Sequence, residues 1–135
     1  MKKLENWNWL IRMTFLFILI NACKEDHDSD TSLPQVVISA PGENSFTDMG
    51  DPLPISANVT DNSIHEVNLQ IKSATDSLLF TKTYNAHDKT SFGVSETWTV
   101  PRLGTAPTEI TILITAEDHS KNKGSASRVV SVFPK

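Results

Sequence analysis

His65-Glu66-Val67-Asn68-Leu69-Gln70-Ile71-Lys72 alternates strictly between two kinds of position. Successive side chains of a strand point to opposite faces, so His65, Val67, Leu69 and Ile71 would share one face. Glu66, Asn68, Gln70 and Lys72 would share the other, which reads as a half-buried strand. The period recurs on either side of this stretch. Leu53, Ile55, Ala57 and Val59 alternate with Pro54, Ser56, Asn58 and Thr60, and Ile110, Ile112, Ile114 and Ala116 with Thr111, Leu113 and Thr115. Less regular runs lie at 36–38, 78–84, 92–98 and 125–133. In the third of these, Glu96 falls on the face of Phe92, Val94 and Trp98.

Turn-forming residues divide these runs. Pro41-Gly42, Gly50-Asp51-Pro52, Asp61-Asn62-Ser63, the polar residues 73–77, a loop at 85–89, the connection 101–107 and the turn 118–124 punctuate the chain about every 8–12 residues. No window after residue 33 has helical period and no segment repeats, which excludes a solenoid or a propeller. Seven short strands so spaced predict an all-β, antiparallel sandwich or small barrel over residues 33–135. About 100 residues suffice for one hydrophobic core.

The N-terminal end has a different composition. Lys2, Lys3 and Arg12 precede an apolar run of eight, from Met13 to Ile20, and the only cysteine follows at position 23. A spanning helix needs about 20 apolar residues, so the run fits the core of a signal segment. Ile20, Ala22 and Cys23 resemble the lipobox of bacterial lipoproteins, with an aliphatic residue at −3 and a small one at −1; Asn21 at −2 is less usual. The resemblance implies removal of 1–22 as a signal peptide and lipidation of Cys23, anchoring the protein to a membrane. An ordinary secretory signal and an uncleaved anchor are the alternatives. Lys24, Glu25 and Asp26, followed by His27 and Asp28, are similar to the acidic export tag that sends some Gram-negative lipoproteins to the exterior of the outer membrane. The same residues also read as a solvated tether over 23–32, since clustered charge with few apolar residues builds no core.

The body resembles the bacterial immunoglobulin-like domains of surface and secreted proteins. The matching pieces are residues 34–41, Val59-Thr60-Asp61-Asn62, Ile114-Thr115-Ala116-Glu117-Asp118, and Asn122-Lys123-Gly124 before the final strand. The resemblance implies a seven-stranded antiparallel immunoglobulin-like β-sandwich. The cysteine pair of antibody domains is missing and Trp98 falls too late for their third-strand tryptophan, so fibronectin-like and cadherin-like variants stay open.

Charge narrows the partners. The chain carries 12 basic and 16 acidic residues; loss of Lys2, Lys3 and Arg12 with Glu5 leaves 9 against 15. An acidic body without a basic cluster argues against nucleic acid. Candidate ligand groups are few. Asp61, Asp118 and Asn122, from loops expected at one end of a sandwich, offer oxygen donors for calcium, although turn Asp and Asn more often bond their own backbone. His65, His87 and His119 lie on three separate segments without paired spacing, which reads as a strand-start residue and two solvated loop residues rather than a zinc site. Phe80, Tyr84, Phe92 and Trp98 could stack on a sugar or line the core. No nucleophile elbow, phosphate loop or metalloprotease helix is present, so the expectation is a non-enzyme. The sequence thus points to a lipid-anchored accessory module of the outer membrane, facing the exterior or else the periplasm, with a protein or glycan partner. A carbohydrate-capture lipoprotein of an uptake system and a structural spacer are the alternatives.

Overall fold

In the computed structural model, residues 30–135 are described; the leader 1–22, Cys23 and the residues Lys24, Glu25 and Asp26 lie outside the described residues. The described chain is all-β, with strands β1 (Gln35–Ala40), β2 (Phe46–Asp48), β3 (Pro52–Ser73), β4 (Leu78–Thr99), β5 (Thr108–Asp118) and β6 (Lys123–Phe133). They form one sheet in the order β1-β3-β5-β6-β2, and β4 pairs with β3. All pairings are antiparallel except β2 with β6, which is parallel.

Seven strands are expected from the sequence, and six are found among the described residues. The two turns read at 61–63 and 85–89 do not interrupt the ladder, because β3 and β4 continue through them as one hairpin of two 22-residue strands. Residues 36–38 and the runs after residue 108 fall where expected. The short β2 was not foreseen; its three residues carry no alternation of their own and are held by the edge of β6.

The hairpin is irregular where turns were expected. Thr60 pairs with Ser91 and Ile64 with Lys89, so Asp61, Asn62 and Ser63 stand opposite Thr90 alone. Glu66 pairs with Asn85, so His65 alone stands opposite Ala86, His87 and Asp88. Extra residues of this kind bend a strand and increase its twist. Below the break, β3 pairs with β1 at residues 56–60; above it, β3 pairs with β5 at residues 64–73. The two halves of β3 therefore serve different neighbours.

Both halves feed one core. Leu53, Ile55, Ala57 and Val59 from the first half join Ile64, Val67, Leu69 and Ile71 from the second, together with Val94, Trp98, Ile110, Ile112, Ile114, Val130 and Val132. The sheet is thus curled so that its apolar face closes on itself. Phe80, Tyr84 and Phe92 pack against the core from its margin. Three of the four aromatic residues considered for a sugar platform are therefore half-buried against the core, and Trp98 is buried within it.

Gly124 fixes how the start of the domain lies on β6. A Cβ at that position would fall 1.7 Å from the backbone oxygen of Pro34. Backbone cannot yield as a flexible side chain does, so Gly124→Ala should push the residues before β1 off β6. The expected loss of stability is about 1–3 kcal/mol, read as a lower urea midpoint.

Candidate functional site

Three elements meet where the long hairpin breaks register: the β3 irregularity at 61–65, the β4 irregularity at 85–89 and the β5–β6 turn. The third is docked on the first, because the backbone N–H of His119 donates to the Ser63 carbonyl at 3.2 Å. Strict alternation would send His65 inward with Val67. Instead Ile64 pairs with Asp118 and Glu66 with Glu117, so His65 is the one extra residue against β5. Ile64 takes the core position and His65 turns to the half-exposed surface.

There His65 meets the other two histidines that sequence spacing had left on separate segments. Its Nδ1 lies 3.2 Å from Nδ1 of His87. The ring centroids are 5.4 Å apart for His65 and His87, 5.0 Å for His65 and His119, and 4.4 Å for His87 and His119. One nitrogen of each ring lies within 4.8 Å of the other two. Asp88, held in the left-handed region at φ 60°, places its carboxylate 3.1 Å from His119 Nε2 and 3.5 Å from His87 Nε2. The backbone N–H of His87 donates to the Asn85 side chain at 3.0 Å, an Asx turn that fixes this part of β4.

The oxygen donors proposed for calcium also converge. Asp61 and Asp118 come together, and Asp30, which the sequence did not single out, joins them with carboxylate oxygens mutually within 4.8 Å. Their hydrogen bonds are those of turns. Asp118, only 1 % exposed, accepts from the Asn122 backbone at 2.8 Å and from its amide nitrogen at 2.6 Å. The same Asn122 amide donates to the Asp30 carbonyl at 2.8 Å. Asp61 accepts from the Ser63 backbone at 3.0 Å, and Asp30 accepts from Ser32. Those Ser32 hydrogen bonds hold the Asp30 carboxyl below its ordinary range. Asn122 thus acts as a hydrogen-bond donor linking the turn to the residues that lead into β1.

Beside this turn, Glu117 accepts from Lys121 at 2.6 Å and faces Lys123 at 3.0 Å. The hydrogen bonds from these two ammonium groups hold its carboxyl down to about 2, from an ordinary value of 4.5. On β4, Glu96 takes hydrogen bonds from Lys82 and from the Tyr84 hydroxyl, and its carboxyl is likewise lowered. Burial first, and then the bond to Glu96, push the Tyr84 phenol up to about 12.

No protein-family model and no curated protein matches the chain. Among solved structures it is similar to fibronectin(III)-like modules of Clostridium thermocellum CbhA, at 18% identity and TM-score 0.44, covering 76% of this chain and 47% of that one. It is similar to the periplasmic chaperone SfaE at 10% identity and TM-score 0.47, covering 75% and 57%. Murine CRIg matches at 8% identity and TM-score 0.41, covering 77% and 99%. The chain spans about half the length of the first two.

Two outcomes follow from these contacts. Asp118→Ala strips two donors of Asn122 of their acceptor and should cost about 1–3 kcal/mol of stability. Unfolding measured with calcium and with chelator tests the calcium expectation at once, because a bound ion adds a calcium-dependent shift that the variant loses. The second outcome concerns acid. Glu117 has a folded value below its unfolded one, so its contribution is present above about pH 4.5 and lost as pH falls towards 2. Glu117→Gln should therefore lose less stability than the parent between those limits, as read from urea midpoints across the window.

Proposed function

We propose that the protein is a lipid-anchored binding module of the cell envelope, carried on an immunoglobulin-like or fibronectin-like domain and without catalytic activity. The observation that carries this reading is the position of Cys23, at the end of a short apolar run and seven residues before Asp30. Lipid on Cys23 would fix the domain to the outer membrane. Lys24, Glu25 and Asp26 favour its exterior face over the periplasmic face.

The fold adds an orientation to this reading. Asp30 is bonded to Asn122 in the β5–β6 turn, so the tether would leave from the end that carries the histidines and the Asp cluster. β5 and β6 run from there for 11 residues each, about 35 Å, to the opposite end near Met49 and Pro134. That far end would face the partner. Beside it stand Phe46 and Phe133, 76 % and 40 % exposed, with ring centroids 6.4 Å apart in an edge-to-face pair. A protein partner is the first reading of this surface. Carbohydrate capture is the second, and Phe46 and Phe133 replace the half-buried and buried aromatic residues of β4 as the place where a sugar ring could stack.

Cys23→Ala should abolish lipid labelling and move the protein from the membrane to the soluble fraction. Retention in the membrane would overturn the anchor. In the same cells, external protease should remove the domain when residues 24–28 are native and spare it when they are neutral. Equal protection in both forms would place the domain on the periplasmic face.

A further inference from the structure

We propose that His65, His87 and His119 form a binding site for one divalent transition-metal ion, with zinc as its representative, and that Asp88 positions two of the three rings. This site does not depend on the lipid anchor and is separate from the oxygen cluster around Asp118.

The geometry carries the proposal. Zinc–nitrogen bonds near 2.1 Å in a tetrahedral site put ligand nitrogens roughly 3.4 Å apart. The Nδ1 atoms of His65 and His87 are already 3.2 Å apart, and one nitrogen from each of the three rings lies within 4.8 Å of the other two. A side-chain adjustment on the order of 1 Å at His119 would close the set. All three rings are at least partly accessible, so an ion can enter and the rings can adjust without disturbing the core.

Asp88 supplies the outer contact that imidazole ligands require. Ligating histidines almost always give their other ring nitrogen to a carboxylate, a carbonyl or water, which fixes the tautomer and the ring plane. The Asp88 carboxylate is 3.1 Å from Nε2 on His119 and 3.5 Å from Nε2 on His87, so the His87 nitrogen that faces His65, Nδ1, is not the one Asp88 holds. Three imidazoles without thiolate suit zinc, copper(II) and nickel(II), whereas calcium and magnesium prefer oxygen. Three protein ligands also leave a fourth position open to water or to a donor from a partner. Imidazole must be neutral to ligate, so binding weakens in acid and metal uptake releases any protons the rings hold.

The test is zinc titration of the untagged full chain in detergent, followed calorimetrically, with cobalt(II) substitution read by its visible absorption. One zinc per chain and a tetrahedral cobalt spectrum are expected. His87→Ala and His119→Ala should each weaken zinc binding at least tenfold, and Asp88→Asn by about 10- to 100-fold. His27→Ala and Asp61→Asn should leave it unchanged, which separates the site from the tether and from the oxygen cluster. His87 and His119 are exposed, so chelator-treated variants should unfold at the parent's midpoint. A variant that unfolds earlier is replaced by His→Gln at the same position. No zinc bound at micromolar concentration, or binding that survives the paired His87→Ala and His119→Ala substitutions, would overturn the proposal.

Discussion

A regular 22-residue strand would extend for about 70 Å, far too long for its two halves to share one core. The two halves of β3 nevertheless place Ile55 and Leu69 in the same buried cluster. What reconciles these facts is the local excess of residues in the ladder, three against one at 61–63 and three against one at 86–88. Each excess bends the hairpin, and together they let the lower half meet β1 while the upper half meets β5. The curled sheet, the single core and the juxtaposition of the three histidines all depend on this break in register.

The alternating stretches were legible because period two is written in the residues themselves. Leu53 to Val59, Val67 to Ile71 and Ile110 to Ala116 are buried at the positions that alternation assigns. Glu96 illustrates the limit of that rule. Its position beside Phe92 and Trp98 made the inward face ambiguous, and the structure resolves it through Lys82 and the Tyr84 hydroxyl, which bond the carboxylate at the margin of the core. Asp61-Asn62-Ser63 and residues 85–89 carry turn chemistry, and Asp61 and Asn85 make local side-chain–backbone bonds, yet both stretches stay within their strands. They were read as chain reversals because a bulge and a tight turn use the same residue types. The distinction rests on whether the flanking strands find partners on both sides, which is a long-range property.

The same reasoning explains why the histidine site was not legible and the Asp–Asn turn was. Asp118 and Asn122 are four residues apart, and a turn that joins them can be read from the sequence. His65, His87 and His119 are separated by whole strands. Alternation placed His65 on the inward face, away from any ligand site. Only the extra residue against β5 hands the core position to Ile64 and frees His65 to meet His87. Asp30 was missed for the opposite reason, since its acidic surroundings read as tether, yet its carbonyl and carboxylate bond to Asn122 and Ser32.

The two donor clusters at this end are chemically distinct although they share β3 and the β5–β6 turn. In the oxygen cluster, Asp118 is buried and has both carboxylate oxygens engaged by Asn122, so its first duty is to hold the turn. In the nitrogen cluster, the turn brings His119 to His65 and His87, whose Nδ1 atoms lie within hydrogen-bond distance, and the Asp88 carboxylate faces His87 and His119. A rigid turn is what makes a three-segment ligand set feasible. Were Asp118 and Asn122 loose, ordering His119 would cost conformational entropy at the moment of metal binding and weaken it. The Asp118–Asn122 bonds and the His119 backbone bond to Ser63 impose that order during folding. The Asp118–Asn122 pair therefore supports the histidine site structurally, while hard-oxygen and imidazole donors keep their ion preferences apart.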